Sequence, residues 1–181
     1  MTNETKYDFQ DGNGPVAAHQ HPNGGGWVAD TAYVDLTAYV GPDARVYGNA
    51  KVCGNAKVCG NAYVSGNAKV FGSARVCGFG NARVCGNAKV FGNAQVSSNA
   101  EVYGNAKITN TVLTANRSDG YTFAIFDEAD GTTRITAGCR FFTIPEAIGH
   151  WTKTRGDTKL GLESIAIVKY LEQMHSLKDM K

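Results

Sequence analysis

An aliphatic residue returns every six positions through the middle of the chain: Val28, Val34, Val40, Val46, Val52, Val58, Val64, Val70 and Val76, then Val84, Val90, Val96, Val102 and Ile108. Two positions before nearly all of them stands Ala, Thr or another small residue, and between successive units runs Gly-Asn or a close variant. Period six is neither the 3.6 of a helix nor simple alternation. Within a unit such as Ala-Lys-Val-Cys, small and aliphatic residues point inward and the others outward. Gly-Asn then supplies a turn, because these residues adopt positive φ most readily. Short strands alternating with turns predict a parallel β-helix. The beat breaks once, at Val76–Val84, where the interval is two residues too long. The added Phe79-Gly80 must bulge from a corner if the register on both sides is kept.

The flanks follow other rules. Residues 1–26 read as loop, punctuated by Asp11-Gly12-Asn13-Gly14-Pro15 and Asn23-Gly24-Gly25-Gly26. A solenoid's first coil needs a covering segment, and Trp27 with Phe9 and Val16 is expected to provide it. After Ile108 the beat fades. Tyr121–Phe126 alternates as a strand, Asp127–Gly131 is a turn, and Thr132–Ala137 is the hairpin partner. Thr143-Ile144-Pro145-Glu146 is a helix start, with Thr as cap and Glu three residues later. That helix is expected to run to His150 or Trp151, with Lys153–Asp157 as a loop. A second helix over about Leu162–Ser176 would bury Leu162, Ile165, Val168, Leu171 and Met174. The expected division is a cap over 1–27, a β-helix over 28–112 and a small ββαα unit over 113–181.

The net charge of +2 is unevenly spread. Residues 1–39 carry one Lys against five acids, residues 40–110 carry eight basic residues against two acids, and the rest balances at nine against nine. An anionic partner should therefore meet the repeat. With three hexads per coil, residues eighteen apart stack. One face then carries Lys51, Lys69, Lys89 and Lys107, beside Cys53, Phe71, Phe91 and Thr109. A second carries Lys57, Arg75 and Gln95, beside Cys59, Cys77 and Ser97. The third carries Arg45, Tyr63, Arg83 and Glu101, beside Tyr47, Ser65, Cys85 and Tyr103. Lys51, Lys69, Phe71, Lys89, Phe91 and Lys107 form the candidate ligand-binding set, suited to a nucleotide, a nucleic-acid strand or an acidic protein. The alternative is structural: lysines keep a sheet from pairing with other chains, while the phenylalanines lie under the C-terminal segment or a neighbouring subunit.

Other chemistry is thin. His19 and His21 stand at alternate positions, but no acid–His cluster completes a metal site around them. Cys139 and His150 have no third group to orient a base. No catalytic residue, metal or cofactor is expected. Five cysteines, an odd number, are expected as reduced thiols, and a Cys59–Cys77 disulfide is not expected although the two stack. No apolar run approaches the roughly 20 residues that cross a bilayer, and MTNETKYDFQ lacks the order of a signal peptide. A cytoplasmic protein without membrane partners is expected.

The repeats, V-x-G-N-A-[KR] over residues 28–110, resemble the hexapeptide-repeat family. The resemblance implies a left-handed β-helix with triangular coils, about four to five of them here, and a homotrimer. The family's γ-class carbonic anhydrases need three zinc-binding His, and residues 28–149 contain none. Its acyl-CoA-dependent acyltransferases use a His base, which here would have to be His150 or an N-terminal His. With N-G-G-G-W-V before the repeats and A-G-C-R-x-F-x-x-x-E-A after them, nearly the whole chain is similar to hexapeptide-repeat proteins common in phage and prophage genomes. That similarity implies a viral or prophage origin and no shared activity. Together with the lysine placement it gives the expectation of a non-enzymatic phage-type binding protein in the host cytoplasm, engaging an anionic ligand or a host macromolecule, by sequestering a nucleotide signal or inhibiting a host defence complex. The alternatives are an acyltransferase and a structural virion component.

Overall fold

The computed structural model describes residues 5–78, 80–128, 130–138 and 140–177. Through the repeat, each aliphatic residue lies in a short strand, mostly of two residues, such as Lys51–Val52 or Lys69–Val70. The alanines and aliphatic residues from Ala38 to Ile108 at the inward positions are fully buried and fill one continuous core. Strands of successive coils pair in parallel, forming three sheets that wrap the core. Each coil hands its backbone to the next, as in Lys51 N–H to Ala68 C=O at 2.9 Å and Phe71 N–H to Val90 C=O at 3.0 Å. The result is a β-solenoid of about four turns.

The corners explain the Gly-Asn spacing. Gly48 has φ +67°, and a Cβ there would lie 3.0 Å from the Gly66 nitrogen of the next coil. Only glycine meets both demands without strain. Behind the glycines, asparagine amides stack through the coils: Asn49 Nδ2 donates to Asn67 at 3.4 Å, Asn67 to Asn87 at 3.2 Å, and Asn87 to Asn105 at 3.2 Å. Ser98 occupies a glycine position and is held at φ 56°.

Across the long interval the register is kept. Lys69 pairs with Lys89 and Tyr63 with Arg83, both twenty residues apart, whereas Lys51–Lys69 and Lys89–Lys107 are eighteen apart. Phe79, the expected bulge residue, lies outside the described residues, as does Cys139.

Both ends differ from expectation. The N-terminal segment is not all loop: Lys6–Tyr7 pairs antiparallel with Val16–Gln20, which pairs antiparallel with Trp27–Ala29. The open edge of the first coil offers unpaired backbone groups, and this pairing satisfies them. Phe9 is buried with Ala18 and Ala29 against Tyr7, Trp27 and Tyr47, while Val16 contributes its backbone to the strand pairing and leaves its side chain exposed.

At the other end, the expected hairpin is the centre of a four-stranded antiparallel sheet, Leu113–Asn116, Thr122–Asp127, Thr133–Ala137 and Arg140–Phe142. Alternation along the second strand sets its two faces. Ala124 and Phe126 pack into the end of the solenoid core, and Phe123 and Ile125 face the helices. Thr136 donates to the Glu101 carbonyl at 2.9 Å, tying the sheet to the solenoid.

Two helices cover the sheet, α1 (Ile144–Arg155) and α2 (Lys159–Ser176). α1 begins with the expected Thr143–Glu146 capping box and runs through Lys153 and Arg155, which were expected in a loop. Basic residues in its last turn suit the negative end of the helix dipole. The buried face of α2 is Gly161, Ser164, Val168, Leu171 and His175, with Leu162 and Met174 exposed. The stripe is rotated because Ser164 and His175 find polar partners in the sheet unit, in Arg117 and Asp127.

Candidate ligand-binding face

The stacking expected at intervals of eighteen, or twenty across the insertion, places the candidate lysines together. Tyr33, Lys51, Lys69, Lys89 and Lys107 stand side by side on five adjacent strands. All four lysines are exposed, and among the described residues none of them forms an ion pair. Adjacent strands are about 4.8 Å apart. Two ammonium groups held at about that spacing would repel by about 0.9 kcal/mol in water, a repulsion that a counter-charge beside the row would relieve. Beside it, Phe71 and Phe91 stack with ring centres 5.1 Å apart and planes within 4°. Phe71 is exposed and Phe91 half-buried. Neither lies in the C-terminal core, which is built around other aromatics.

The second face corrects the thiol expectation. The register sets Cys59 directly beside Cys77, with Cα atoms 4.5 Å apart, and the two form a disulfide. That separation lies in the range a disulfide spans. Geometry therefore outweighs the argument from an odd cysteine count. Cys53 and Cys85 are free and half-buried, and burial raises the Cys85 pKa.

The histidines are scattered. His19 pairs with Asp30 at 2.8 Å, and His21 is buried with its Nδ1 3.2 Å from the Asn23 carbonyl, so the two do not converge on one ion. His175 Nε2 lies 2.7 Å from Asp127 Oδ1, between the last helix and the C-terminal sheet. His150 stacks on Phe142, and burial followed by the charge of Arg140 lowers its pKa. Among the described residues no three His, Cys, Asp or Glu side chains gather to hold a metal ion.

Residues 82–98 match the family model described as YdcK Beta solenoid repeat. The chain is a β-solenoid repeat protein. No curated protein and no solved structure matches it. No helix among the described residues of this solenoid protein is long and apolar enough to cross a membrane.

A further group of residues escaped the sequence reading. On the third face, Arg45, Tyr63 and Arg83 line a cavity together with Phe9 and Tyr47. The spacing of eighteen and twenty stacks the solenoid members, and that signal was legible. The arrival of Phe9 was not, because it depends on an N-terminal strand pairing that carries no periodic pattern.

Proposed function

We propose that this solenoid is a non-enzymatic binding protein that engages an anionic ligand through the face bearing Lys51, Lys69, Phe71, Lys89, Phe91 and Lys107. The observation that carries the reading is the row of four exposed lysines without ion pairs among the described residues, flanked by a parallel Phe71–Phe91 pair. Charge along a groove with aromatic platforms beside it is the pattern that holds single-stranded nucleic acid. Binding of a labelled oligothymidylate, measured against salt, tests it. If all four lysines contact phosphate, the log–log slope is about −3. Replacing Lys69 and Lys89 by Glu should weaken binding by at least about tenfold and flatten that slope. Unchanged affinity and slope in the double variant would overturn the reading.

The proposal extends to a left-handed hexapeptide homotrimer of phage type. It would act in the host cytoplasm on a nucleotide signal or a host defence complex. Support comes from the repeat and its N-G-G-G-W-V and A-G-C-R-x-F-x-x-x-E-A flanks. Light scattering should give three times the 19.3 kDa chain mass, and a monomer at all concentrations would remove the trimer.

One observation favours a second reading, an acyl-CoA-dependent transferase. Burial keeps the His150 imidazole neutral to lower pH than usual, as a general base needs. Against it, His150 is packed on Phe142 and does not line the cavity of the third face. Thermal stabilisation by acetyl-CoA that disappears in His150→Ala would support the transferase.

A further inference from the structure

A cavity of about 340 Å³ opens on the third face of the solenoid, where the N-terminal segment folds back over it. It lies on a different sheet from the lysine row. Arg45, Tyr63 and Arg83 occupy three adjacent strands in register, so two guanidinium-bearing residues flank one tyrosine. Their Cα atoms are two strands apart, about 9.6 Å. Side chains of that length on strands so spaced can turn toward one phosphate, and arginine is the side chain best shaped to grip it.

The walls are set in advance. Arg83 lies over the Tyr63 ring, 5.0 Å from its centre, and is paired to Glu101 at 3.1 Å. Arg45 has its guanidinium 5.9 Å from the Tyr7 ring centre and, among the described residues, donates one long 3.4 Å hydrogen bond to Gln10. Phe9, 4% exposed, stacks on Tyr47 with centres 5.0 Å apart, and Tyr47 stands 6.2 Å from Tyr63. Burial raises the pKa of both tyrosines, so their hydroxyls stay protonated and can donate. Asp43 supplies one acceptor at the wall.

Gln10, at the mouth, is held at φ 61°. A non-glycine residue in that region carries strain, and such strain tends to collect where a binding site fixes the backbone. Here it accompanies the turn that brings Phe9 and Gln10 to the arginines.

We propose that this cavity binds a mononucleotide. The phosphate sits between Arg45 and Arg83, the base packs against Tyr47 and Tyr63, and Asp43 accepts from a ribose hydroxyl or a base amine. The volume, at the low end for small-molecule sites, suits one nucleotide and not a strand. Arg83 is already paired to Glu101, so the phosphate competes with that carboxylate for one fork while Arg45 is held by no carboxylate among the described residues, and the aromatic wall suits a flat group attached to the anion.

Calorimetry on the full chain tests the assignment, with AMP, GMP, CMP and UMP as probes. Adenosine, ribose 5-phosphate and pyrophosphate serve as fragments. At least one nucleotide should bind with a dissociation constant below about 100 μM. Arg45→Gln and Arg83→Gln should each weaken it by about tenfold or more. Arg45→Lys and Arg83→Lys keep the charge without the fork and should fall between the two. Tyr63→Leu should weaken the nucleotide and leave ribose 5-phosphate unchanged. Thermal melts establish that each variant is folded. Lys69→Glu with Lys89→Glu should leave nucleotide binding intact, so this proposal and the lysine-face proposal fail separately. No binding of any nucleotide at about 1 mM would overturn the assignment. So would equal affinity for adenosine or for pyrophosphate, or an Arg45→Gln/Arg83→Gln double variant that binds like the original chain.

Discussion

Single residues concentrate the strain and the buried charge of this protein. Ser98 stands where the repeat elsewhere has glycine and is held at φ 56°. The left-handed conformation costs a non-glycine residue about 1–2 kcal/mol. Ser98→Gly should therefore raise stability by about 1 kcal/mol in urea unfolding, after the greater freedom of the unfolded glycine chain is subtracted. Arg117 is the opposite case, a charge 4% exposed. It donates to Asp119 at 2.9 and 2.7 Å and to Ser164 at 2.9 Å, and lies between the Tyr121 and Trp151 rings. Arg117→Ala should cost about 2 kcal/mol or more, because charge-assisted bonds go and Ser164 is left buried. The same pair sets a pH dependence. Hydrogen bonding from Arg117 lowers the Asp119 pKa from 3.8 to about 2. The folded state therefore holds its proton less tightly than the unfolded chain. This contribution to stability is complete above pH 3.8 and disappears as pH falls toward 2. In Arg117→Ala that acid limb should shrink, as melting temperatures taken from about pH 5 to 2 would show.

Elements form here by two different routes. A two-residue strand has no independent stability; each exists because the coils above and below complete its hydrogen bonds. Helix α1 begins from local chemistry alone. Its Thr143–Glu146 box closes with Glu146 accepting from the Thr143 amide at 2.8 Å. Thr143→Ala should lower stability by about 1 kcal/mol, with the melting temperature as the readout. This contrast explains what could be read from the chain. The solenoid strands repeat one six-residue pattern in every coil that completes them, and the α1 start carries its cause within four residues, so both were legible. The Lys6–Tyr7 and Val16–Gln20 strands, and the buried face of α2, owe their form to distant partners, and no local pattern announced them. The Cys59–Cys77 bond is intermediate. Its proximity followed from the register, while its oxidation state did not. Closing a loop of about that length contributes about 3 kcal/mol by restricting the unfolded chain. Reduction should lower the melting temperature, and Cys59→Ser with Cys77→Ser should match the reduced protein.

At the scale of the molecule, the C-terminal sheet closes the solenoid at one end as the N-terminal strands do at the other. Phe126 belongs to the solenoid core although it lies on the C-terminal sheet. Phe126→Ala should cost about 3–5 kcal/mol. Because the core is continuous, the loss should appear in the unfolding of the repeats as well as in that of the sheet. Hydrogen exchange at Val90 and Val102 would report it. The lysine row was legible because one spacing generates the whole face, whereas the nucleotide cavity needed a second, non-repeating segment. Near-identical coils also raise a difficulty that their packing does not solve. A hexad of this chain fits almost equally well one coil up or down, like a zip fastener with interchangeable teeth. The one two-residue insertion, which stretches the intervals of a single coil from eighteen to twenty, is the odd tooth. Slide one half by a coil across it and the rungs there meet two residues out of phase, so that valine no longer stacks on valine although the same face stays inward. The insertion thus distinguishes one coil from its near-identical neighbours, so that a slip across it, unlike a slip within either half, spoils the valine stack.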